Sequence, residues 1–418
     1  MLSRRAFALL SGAVAMVPGR LLAQESLTAS DLFNSADLYL SNYLDLIAKA
    51  DAGDHASREY LHQYAAFVGD EARATAAPNR QFEIDASLEL SALPAIETIV
   101  ERARDKRIVI LNEHHCISRH RQFTAQVLRA LRPLGFDIFA AETFVGKYRA
   151  HMPVAIEDLR ANTPFVSHYG FYTRDPVYAE TVRESLELGY RLAAYEQAEH
   201  QTVLGDDASS KDRINEREEA QARNFIDNIL TPYPDSKIVV LCGHSHLLEA
   251  LQSEHEWFAA RLKRHTGIDP LTVEQSLNYP AHDPANDPSL TRAVLERLAP
   301  QQPVCVFEPS GQAFTSRTYA GKVDLAVYHP RKPEVNGRPQ WLASDPMRQA
   351  VPVAFPPHDE ICLIQAVRAV ETMGAVPSDH VLVAPGQSHA TLYLRPGYYV
   401  IRRELSAGWE IIGSVTID

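Results

Sequence analysis

The sequence predicts an α/β protein with a mostly parallel sheet and helices on both faces, preceded by a helical segment and followed by a small antiparallel β-sandwich. Residues 93–331 alternate short apolar runs with longer amphipathic stretches, which is the pattern of βαβ units. Residues 25–92 repeat apolar side chains at helical spacing. Residues 332–418 contain strand-like runs broken by turns, which predicts hairpins.

The first 24 residues, "MLSRRAFALLSGAVAMVPGRLLAQ", are predicted to be an export signal. Arg4 and Arg5 precede an apolar run at residues 7–17 that is too short to span a bilayer. The arginine pair resembles a twin-arginine signal, and an ordinary secretory signal is the alternative. We therefore expect a periplasmic or secreted protein, without a membrane anchor because no later run is apolar enough.

The composition narrows the class of partner. A formal net charge of −12 argues against nucleic acid or an anionic membrane surface, so we expect a small-molecule substrate or ligand. The 418 residues exceed what one core usually holds, which predicts two or three units. Four cysteines sit beside apolar residues and are expected to be buried thiols: Cys116, Cys242, Cys305 and Cys362.

The two flanking segments show no catalytic pattern. The helical segment carries one apolar stripe, formed by Leu40, Tyr43, Leu44 and Ile47, and is expected to have a packing role. The stretch "HPRKPEVNGRP" is predicted to be a linker to the closing segment, where Pro385-Gly386 and Pro396-Gly397 mark hairpin turns. The closing β-sandwich is a candidate surface for an envelope partner.

Six strands are predicted in the central region, separated by helical stretches. They are Arg107–Leu111, Phe136–Ala141, Tyr190–Tyr195, Lys237–Cys242, Pro303–Phe307 and Asp324–Tyr328. Acids and histidines follow four of them: Glu113 with His115, Glu142, Glu196, and His244 with His246. Ligands bind beyond the carboxyl ends of parallel strands, so these side chains are expected to meet at one edge. A lone acid or histidine there is usually a cap or a solvated residue, but four coincidences favour a site.

The spacing of these residues adds an expectation. Glu113 and His115 lie two residues apart, as do His244 and His246. Residues two apart on extended backbone point to the same side, so each pair is expected to converge. Gly243 is expected to let the chain turn tightly before His244.

Other residues are candidates for catalysis or substrate binding, and each also has a purely structural interpretation. Arg217, near the start of an amphipathic helix, is expected to pair with a site carboxylate or to hold a developing oxyanion, unless it belongs to a solvated salt-bridge ladder. Six residues are candidates for substrate binding, with a solvated helix face or a buried loop as the alternative: His120, Arg121, His168, Tyr172, Arg174 and Glu196.

Five stretches together resemble the erythromycin esterase-like superfamily, which also holds the haem-binding ChaN-like lipoproteins and the TraB and TIKI families. They are "LNEHHCISRHRQF", "AAETF", "REEAQARN", "CGHSHL" and "VDLAVYHP", and they fall within residues 95–330. The matching site positions are Glu113, His115, Glu142, Arg217, Asn224, His244 and His246. Asn112 stands where the family commonly has glycine. The resemblance implies an active cleft at these positions and leaves the reaction open.

Two mechanisms for hydrolysis of an ester, amide or phosphoester remain open. In the first, Zn, Mn or Fe activates a water, with Glu113, His115, Glu142 and either His244 or His246 as ligands. In the second, His115 or His244 takes the proton from water, and Arg217 stabilises the oxyanion. The rival hypothesis is an envelope protein that binds haem or another metal-containing ligand in the same cleft.

Overall fold

The computed structural model describes residues 38–76, 84, 87–144, 170–205, 207–335, 337–371 and 373–418. The predicted export signal at residues 1–24 and the candidate residue His168 lie outside these ranges. Within the described residues, none of the helices is both long enough and apolar enough to cross a bilayer.

Three helices open the described chain: α1 (Tyr39–Asp51), α2 (His55–Val68) and α3 (Glu71–Ala74). Asp54 caps α2 by accepting a hydrogen bond from the Ser57 N–H, and Gly69 ends it in the left-handed conformation with φ of 77°. The apolar faces of α1 and α2 bury Tyr43 in a cluster that also contains Leu363. The helical segment therefore packs against the C-terminal part of the chain.

The central sheet has eight strands in the order β1-β7-β8-β6-β2-β5-β3-β4. The strands are β1 (Ser91–Pro94), β2 (Ile108–Glu113), β3 (Phe136–Ala141), β4 (Arg191–Ala193), β5 (Lys237–Gly243), β6 (Leu271–Glu274), β7 (Val304–Phe307) and β8 (Leu325–Tyr328). Neighbours from β8 to β4 pair in parallel, whereas β7 pairs antiparallel with β8 and β1. The prediction of a mostly parallel sheet is confirmed, and two strands, β1 and β6, were not predicted.

Helices cover both faces of this sheet. They are α4 (Ala95–Ala103), α5 (Ser118–Leu131), α6 (Pro176–Glu187), α7 (Ser210–Phe225), α8 (Phe258–Thr266) and α9 (Ser289–Leu298). Successive strand residues point to opposite faces, so Val109 packs in one core with Phe123, and Ile108 packs in the other with Phe225. With both faces of the sheet covered by apolar packing, the ends of the strands are where its polar side chains can meet.

The C-terminal part consists of antiparallel strands, as predicted. They are β9 (Glu334–Val335), β10 (Arg338–Pro339), β11 (Gln349–Ala354), β12 (Cys362–Arg368), β13 (Asp379–Val383), β14 (His389–Leu394), β15 (Gly397–Leu405) and β16 (Gly408–Ile417). A four-stranded sheet, β13-β12-β15-β16, and a two-stranded sheet, β11-β14, share a core that includes Ile364, Leu392 and Tyr399. The four cysteines are all buried and free, which confirms that expectation.

Helix α6 joins the central sheet to the C-terminal strands through buried ion pairs. Arg183 contacts Glu371 at 2.6 Å, and Arg368 contacts Glu180 at 2.9 Å. Burial would raise the pKa of Glu180, but Arg368 and Arg183 outweigh it and lower the pKa to about 2. The residue before α6, Asp175, caps this helix by accepting a hydrogen bond from the Val177 N–H at 2.9 Å.

Candidate active site

The carboxyl ends of four adjacent strands form one edge of the site. Glu113 ends β2 and lies opposite Gly243, which ends β5. Glu142 follows β3 directly, and its N–H donates to the Leu241 carbonyl of β5 at 3.0 Å. Glu196 comes shortly after β4. The strand order β2-β5-β3-β4 therefore brings the predicted acids together.

Glu113, His115 and Arg121 form what we call the sealed half of the site. His115 Nδ1 lies 3.0 Å from Glu113 Oε1, and Arg121 Nε donates to Glu113 Oε2 at 2.7 Å. Arg121 also donates from Nη1 to Asp175 at 2.5 Å. Since its side chain is 0% exposed, Arg121 is a fixed internal cation.

The sealed half fixes the tautomer of His115. Burial would raise the pKa of Glu113, but Arg121 and His115 outweigh it and lower the pKa below its usual range. An ionised carboxylate only accepts hydrogen bonds, so His115 Nδ1 carries the hydrogen. In the neutral ring, Nε2 is then the nitrogen with the lone pair.

Glu142, His246 and Arg217 form the open half. Arg217 Nη2 donates to Glu142 Oε1 at 2.6 Å, and the Gly243 N–H donates to Glu142 Oε2 at 2.5 Å. Arg217 also donates from Nε to Glu196 at 3.0 Å, and neither carboxylate accepts from its Nη1. Its side chain is 36% exposed, against 0% for that of Arg121.

His246 is a cation between two carboxylates. Its Nδ1 lies 2.8 Å from Glu218 Oε1, and its Nε2 lies 3.6 Å from Glu142 Oε1. Burial would lower the pKa of His246, but Glu218 and Glu142 outweigh it and raise the pKa to about 9. Burial likewise opposes the charge on Glu142, yet His246 and Arg217 hold its pKa well below its usual range. Both groups of this pair are therefore charged at neutral pH.

The two halves meet across Gly243. A Cβ at this position would lie 2.8 Å from His115 Nε2 and 3.2 Å from Glu142 Oε2, so both atoms border the space beside Gly243. Gly243 itself is extended, with φ of −79° and ψ of 152°. The predicted reason for glycine, a tight turn, is therefore wrong. Glycine is needed because the His115 ring leaves no room for a side chain.

The turn is made by His244, which has a left-handed φ of 30°. Residues 244–247 form a 3₁₀ helix, in which residues two apart point in different directions. His246 reaches Glu142, whereas the His244 ring packs edge-on against His115 with centroids 5.4 Å apart. The expectation that His244 and His246 converge on one atom is wrong, because it assumed extended backbone. Glu113 and His115 lie on the same side, as expected, but they contact each other through Oε1 and Nδ1 at 3.0 Å.

Tyr172 covers the imidazole of His115. The two rings stack with centroids 4.1 Å apart and an interplanar angle of 11°. Burial, together with the charges of Glu142 and Glu113, raises the pKa of Tyr172 well above its ordinary value, so the phenol is neutral. This predicted substrate-binding residue is thus placed in the site, against the ring of the histidine.

The predicted positions include residues that the structure places behind the site. His120 is fully buried and accepts a hydrogen bond from the His114 N–H at 3.1 Å. Arg174 is buried, with its guanidinium 5.5 Å from the centre of the Tyr64 ring. Together with Arg121, they support the site from inside and do not reach its surface as substrate contacts. Glu196 reaches the site through Arg217.

A second layer at the edge was not predicted. Asn112 donates from Nδ2 to the His244 carbonyl at 2.8 Å and to Ser276 Oγ at 2.9 Å, and its Oδ1 accepts from the Gln275 N–H at 2.8 Å. This amide ties the left-handed His244 to the chain after β6. Glu274, at the end of β6, is fully buried, and burial raises its pKa to about 7. An acid ending a short apolar run was the signal that could have located β6.

The residues present do not fit the predicted Zn, Mn or Fe site. In the ranges that the structure describes, no group of three His, Cys, Asp or Glu side chains is placed to hold an ion. The oxygens of Glu113 are engaged by Arg121 and His115, and those of Glu142 by Arg217 and the Gly243 N–H. A metal at either acid would have to displace a guanidinium, because ligand oxygens must be available to the ion.

Comparison with known proteins gave structural similarity only. No family model matches the chain, and no curated protein matches it. RRSP, a MARTX toxin effector domain from Vibrio vulnificus, has a TM-score of 0.33 and 15% identity over 47% of this chain and 37% of its own. The type III effector HopBA1 has a TM-score of 0.31 and 14% identity over 49% and 96% of the two chains. Haem-bound ChaN of Campylobacter jejuni has a TM-score of 0.31 and 10% identity over 50% and 97%.

Proposed function

We propose that this protein is an exported hydrolase that cleaves a carboxylic ester or amide, with His115 as general base and without a metal ion. The observation that carries the proposal is the Glu113–His115 contact of 3.0 Å, with Nε2 on the other side of the ring, beside Gly243. A carboxylate behind an imidazole fixes its tautomer and stabilises the imidazolium formed during proton transfer.

The attacking water would lie between the two halves. His115 Nε2 and Glu142 Oε2 lie 2.8 Å and 3.2 Å from one point beside the Gly243 Cα. The two atoms are therefore no more than about 6 Å apart, and we place the attacking water between them. Glu142 accepts one hydrogen of that water and aligns it. His115 takes the other hydrogen as the oxygen adds to the carbonyl carbon.

Arg217 would stabilise the charge that develops on the carbonyl oxygen. Its Nη1 is the terminal nitrogen from which neither Glu142 nor Glu196 accepts, and its side chain is partly exposed. A fixed guanidinium aimed at a developing oxyanion lowers the barrier because its charge needs no reorganisation. The imidazolium of His115 then returns its proton to the leaving oxygen or nitrogen. A phosphoester is the other class of bond that these groups could cleave.

Haem binding is the second candidate function. A histidine whose Nδ1 is held by a carboxylate is also a suitable axial ligand, because the second contact orients the ring and raises its basicity. His115, backed by Glu113, satisfies that description. A Soret band on titration with hemin, abolished in His115→Asn, would favour this function over hydrolysis.

The test is hydrolysis of p-nitrophenyl acetate, p-nitrophenyl butyrate, alanine p-nitroanilide and p-nitrophenyl phosphate by the purified mature protein. We expect turnover of an ester or the anilide, unaffected by EDTA. His115→Asn is expected to lower kcat about 10²–10⁴-fold, the usual contribution of a general base.

His265→Asn is the matched control. His265 also contacts a glutamate, Glu219, at 3.0 Å, but this pair lies on the protein surface. Its loss should leave turnover unchanged. Retention of wild-type turnover by His115→Asn would overturn the proposal, and loss of turnover on metal removal would overturn the metal-free mechanism.

A further inference from the structure

Strand β16 forms an open edge of the C-terminal four-stranded sheet. The order of that sheet is β13-β12-β15-β16, so among the described strands β16 pairs only with β15. In the described part of the chain, its residues take part in no backbone hydrogen bond outside that ladder. None of its residues is buried. A strand paired on one side only has N–H and C=O groups that point away from the sheet and can pair with another strand.

The other edges of the C-terminal sheets are protected, whereas β16 has little protection. At the opposite edge of the same sheet, β13 is buried at all but one of its residues. Strand β11, which pairs only with β14, contains Pro352. Burial, proline and lysine are the usual devices that keep a free edge from pairing. Strand β16 contains neither proline nor lysine, and its only irregularity is a register shift opposite Ile401 and Arg402.

Residues 413–417 are the regular part of this edge, since they pair with β15 without a shift. Their side chains alternate between the two faces of the sheet. Val415 and Ile417 are half-buried and pack on the apolar core of the C-terminal part. Ser414 and Thr416 are exposed on the other face. The segment therefore offers a second strand both a free backbone edge and an apolar core to extend.

The sequence of this segment is complementary to itself. When two copies lie antiparallel about Val415, that residue meets its own counterpart, and Ser414 meets Thr416 of the other copy. Cross-strand pairs of apolar residues and of hydroxyl residues stabilise a sheet. A two-fold interface requires such a self-complementary patch, because both copies contribute the same surface.

The charge of the chain favours the same place for a contact between copies. The formal net charge is −12, so two copies repel each other. Residues 413–417 carry no ionisable side chain. The nearest acid in β16, Glu410, is neutralised by Arg403 of β15. Pairing at this segment therefore brings no like charges directly opposite one another.

From these features we propose that the protein forms a two-fold dimer in which residues 413–417 of β16 pair antiparallel with the same residues of a second copy. The two four-stranded sheets then form one continuous sheet, and Val415 joins the two apolar cores at the axis. Because the paired segment is short, we expect a weak dimer with a Kd in the micromolar range. The contact lies outside the candidate active site, so it is measured without turnover.

Sedimentation equilibrium of the purified protein, from low micromolar to several hundred micromolar at physiological salt, tests the proposal. The wild type is expected to show a monomer–dimer equilibrium. The double variant Ser414→Lys/Thr416→Lys places lysine opposite lysine at two cross-strand positions, so it should weaken the dimer by about tenfold or more. Ser414→Glu/Thr416→Glu should do the same. Both positions are exposed, and circular dichroism checks that the variants fold.

An equimolar mixture of the two double variants tests the register. Each introduced lysine then faces an introduced glutamate, so the mixture should recover the dimer that neither variant forms well alone. Ala350→Lys/Ala354→Lys is the matched control, because it adds two charges at exposed positions of another edge strand, β11. This control should dimerise as the wild type does.

Three results would overturn the proposal. The first is a wild type that stays monomeric over the whole range, which is also the result expected if an envelope protein occupies this edge instead. The second is a lysine double variant that dimerises as tightly as the wild type. The third is a mixture of the two double variants that remains as monomeric as each variant alone.

Discussion

The two halves of the candidate site use the same residue types for different purposes. Each contains a glutamate, a histidine and an arginine, but Arg121 is fully buried whereas Arg217 is 36% exposed. In the sealed half, Nδ1 of His115 contacts Glu113, and Nε2 lies beside Gly243. In the open half, both nitrogens of His246 face carboxylates, which keeps the ring protonated. An acid–histidine–arginine set therefore acquires its role from solvent access and from the number of carboxylates around the imidazole.

The largest expected effect is a difference in stability: loss of the arginine in the sealed half should destabilise the protein more than loss of the arginine in the open half. Arg121→Met should lower the free energy of unfolding by about 3–5 kcal/mol, because it leaves Glu113 and Asp175 as buried charges without their cation. Arg217→Met should cost less, since Glu142 keeps the Gly243 N–H and His246. Urea denaturation measures both, and equal losses would remove the distinction between the halves.

The second prediction separates them by rate and depends on the proposed function. Arg217→Met should lower kcat by about 10²–10³-fold, the usual effect of removing an oxyanion donor. Arg217→Lys keeps the charge but loses the planar fork, so an intermediate rate is expected. The rates would be measured on whichever p-nitrophenyl substrate the wild-type protein cleaves, and an unchanged rate in the methionine variant would exclude Arg217 as the donor.

The third prediction separates them by pH. The pKa of His246 is raised from 6.5 to about 9 in the folded state, so protonation of this ring stabilises the fold. The stabilisation is complete below about pH 6.5, the pKa in the unfolded chain, and is lost as the pH rises through about 9. The lowered pKa of Glu113 does the opposite, so its contribution is lost as the pH falls below the usual range of a carboxyl.

Urea denaturation of the wild type between pH 6 and 10 should show the alkaline loss, on the order of 3 kcal/mol. Glu218→Gln removes the main carboxylate beside His246 and should flatten that part of the profile. A profile identical to that of the wild type would mean that His246 does not titrate there.

The smallest expected effect concerns the junction of the halves. Gly243→Ala would place a methyl group 2.7 Å from His115 Cε1, so it should destabilise the protein by about 1–3 kcal/mol and displace the imidazole. Gly413→Ala is the matched control, because a Cβ there meets nothing within 4 Å. Comparable stability of the two variants would show that His115 can shift at little cost.

The parallel sheet and the acids at its edge could be predicted from the sequence because both depend on local sequence patterns. Apolar strands between amphipathic helices predict parallel pairing, and parallel pairing sends Glu113 and Glu142 to the same edge. Strand β6 was not predicted because a run of four residues is too short to show a hydrophobic period. Strand β1 was not predicted because it contains proline and pairs antiparallel at the edge of the sheet.

Side-chain partners depend on contacts that no local pattern encodes. Arg121 and Asp175 are far apart in sequence, so only the packing of α5 on α6 reveals that Arg121 is internal. Likewise, the His246 side chain points toward Glu142 because residues 244–247 form a 3₁₀ turn and His244 has a left-handed backbone. The prediction had assumed that the extended backbone of the strand continues through these residues.

The N-terminal helices reach both other parts of the chain. The Leu40 N–H donates to Glu404 of β15, and Tyr39 Oη donates to the carbonyl of Arg174 just before α6. Because these contacts link the three parts of the chain, unfolding of one part removes contacts that stabilise the others, and we expect the whole protein to unfold cooperatively. Calorimetry should then record one heat-absorption peak, and a protease acting near Pro330 would release no fragment that survives on its own.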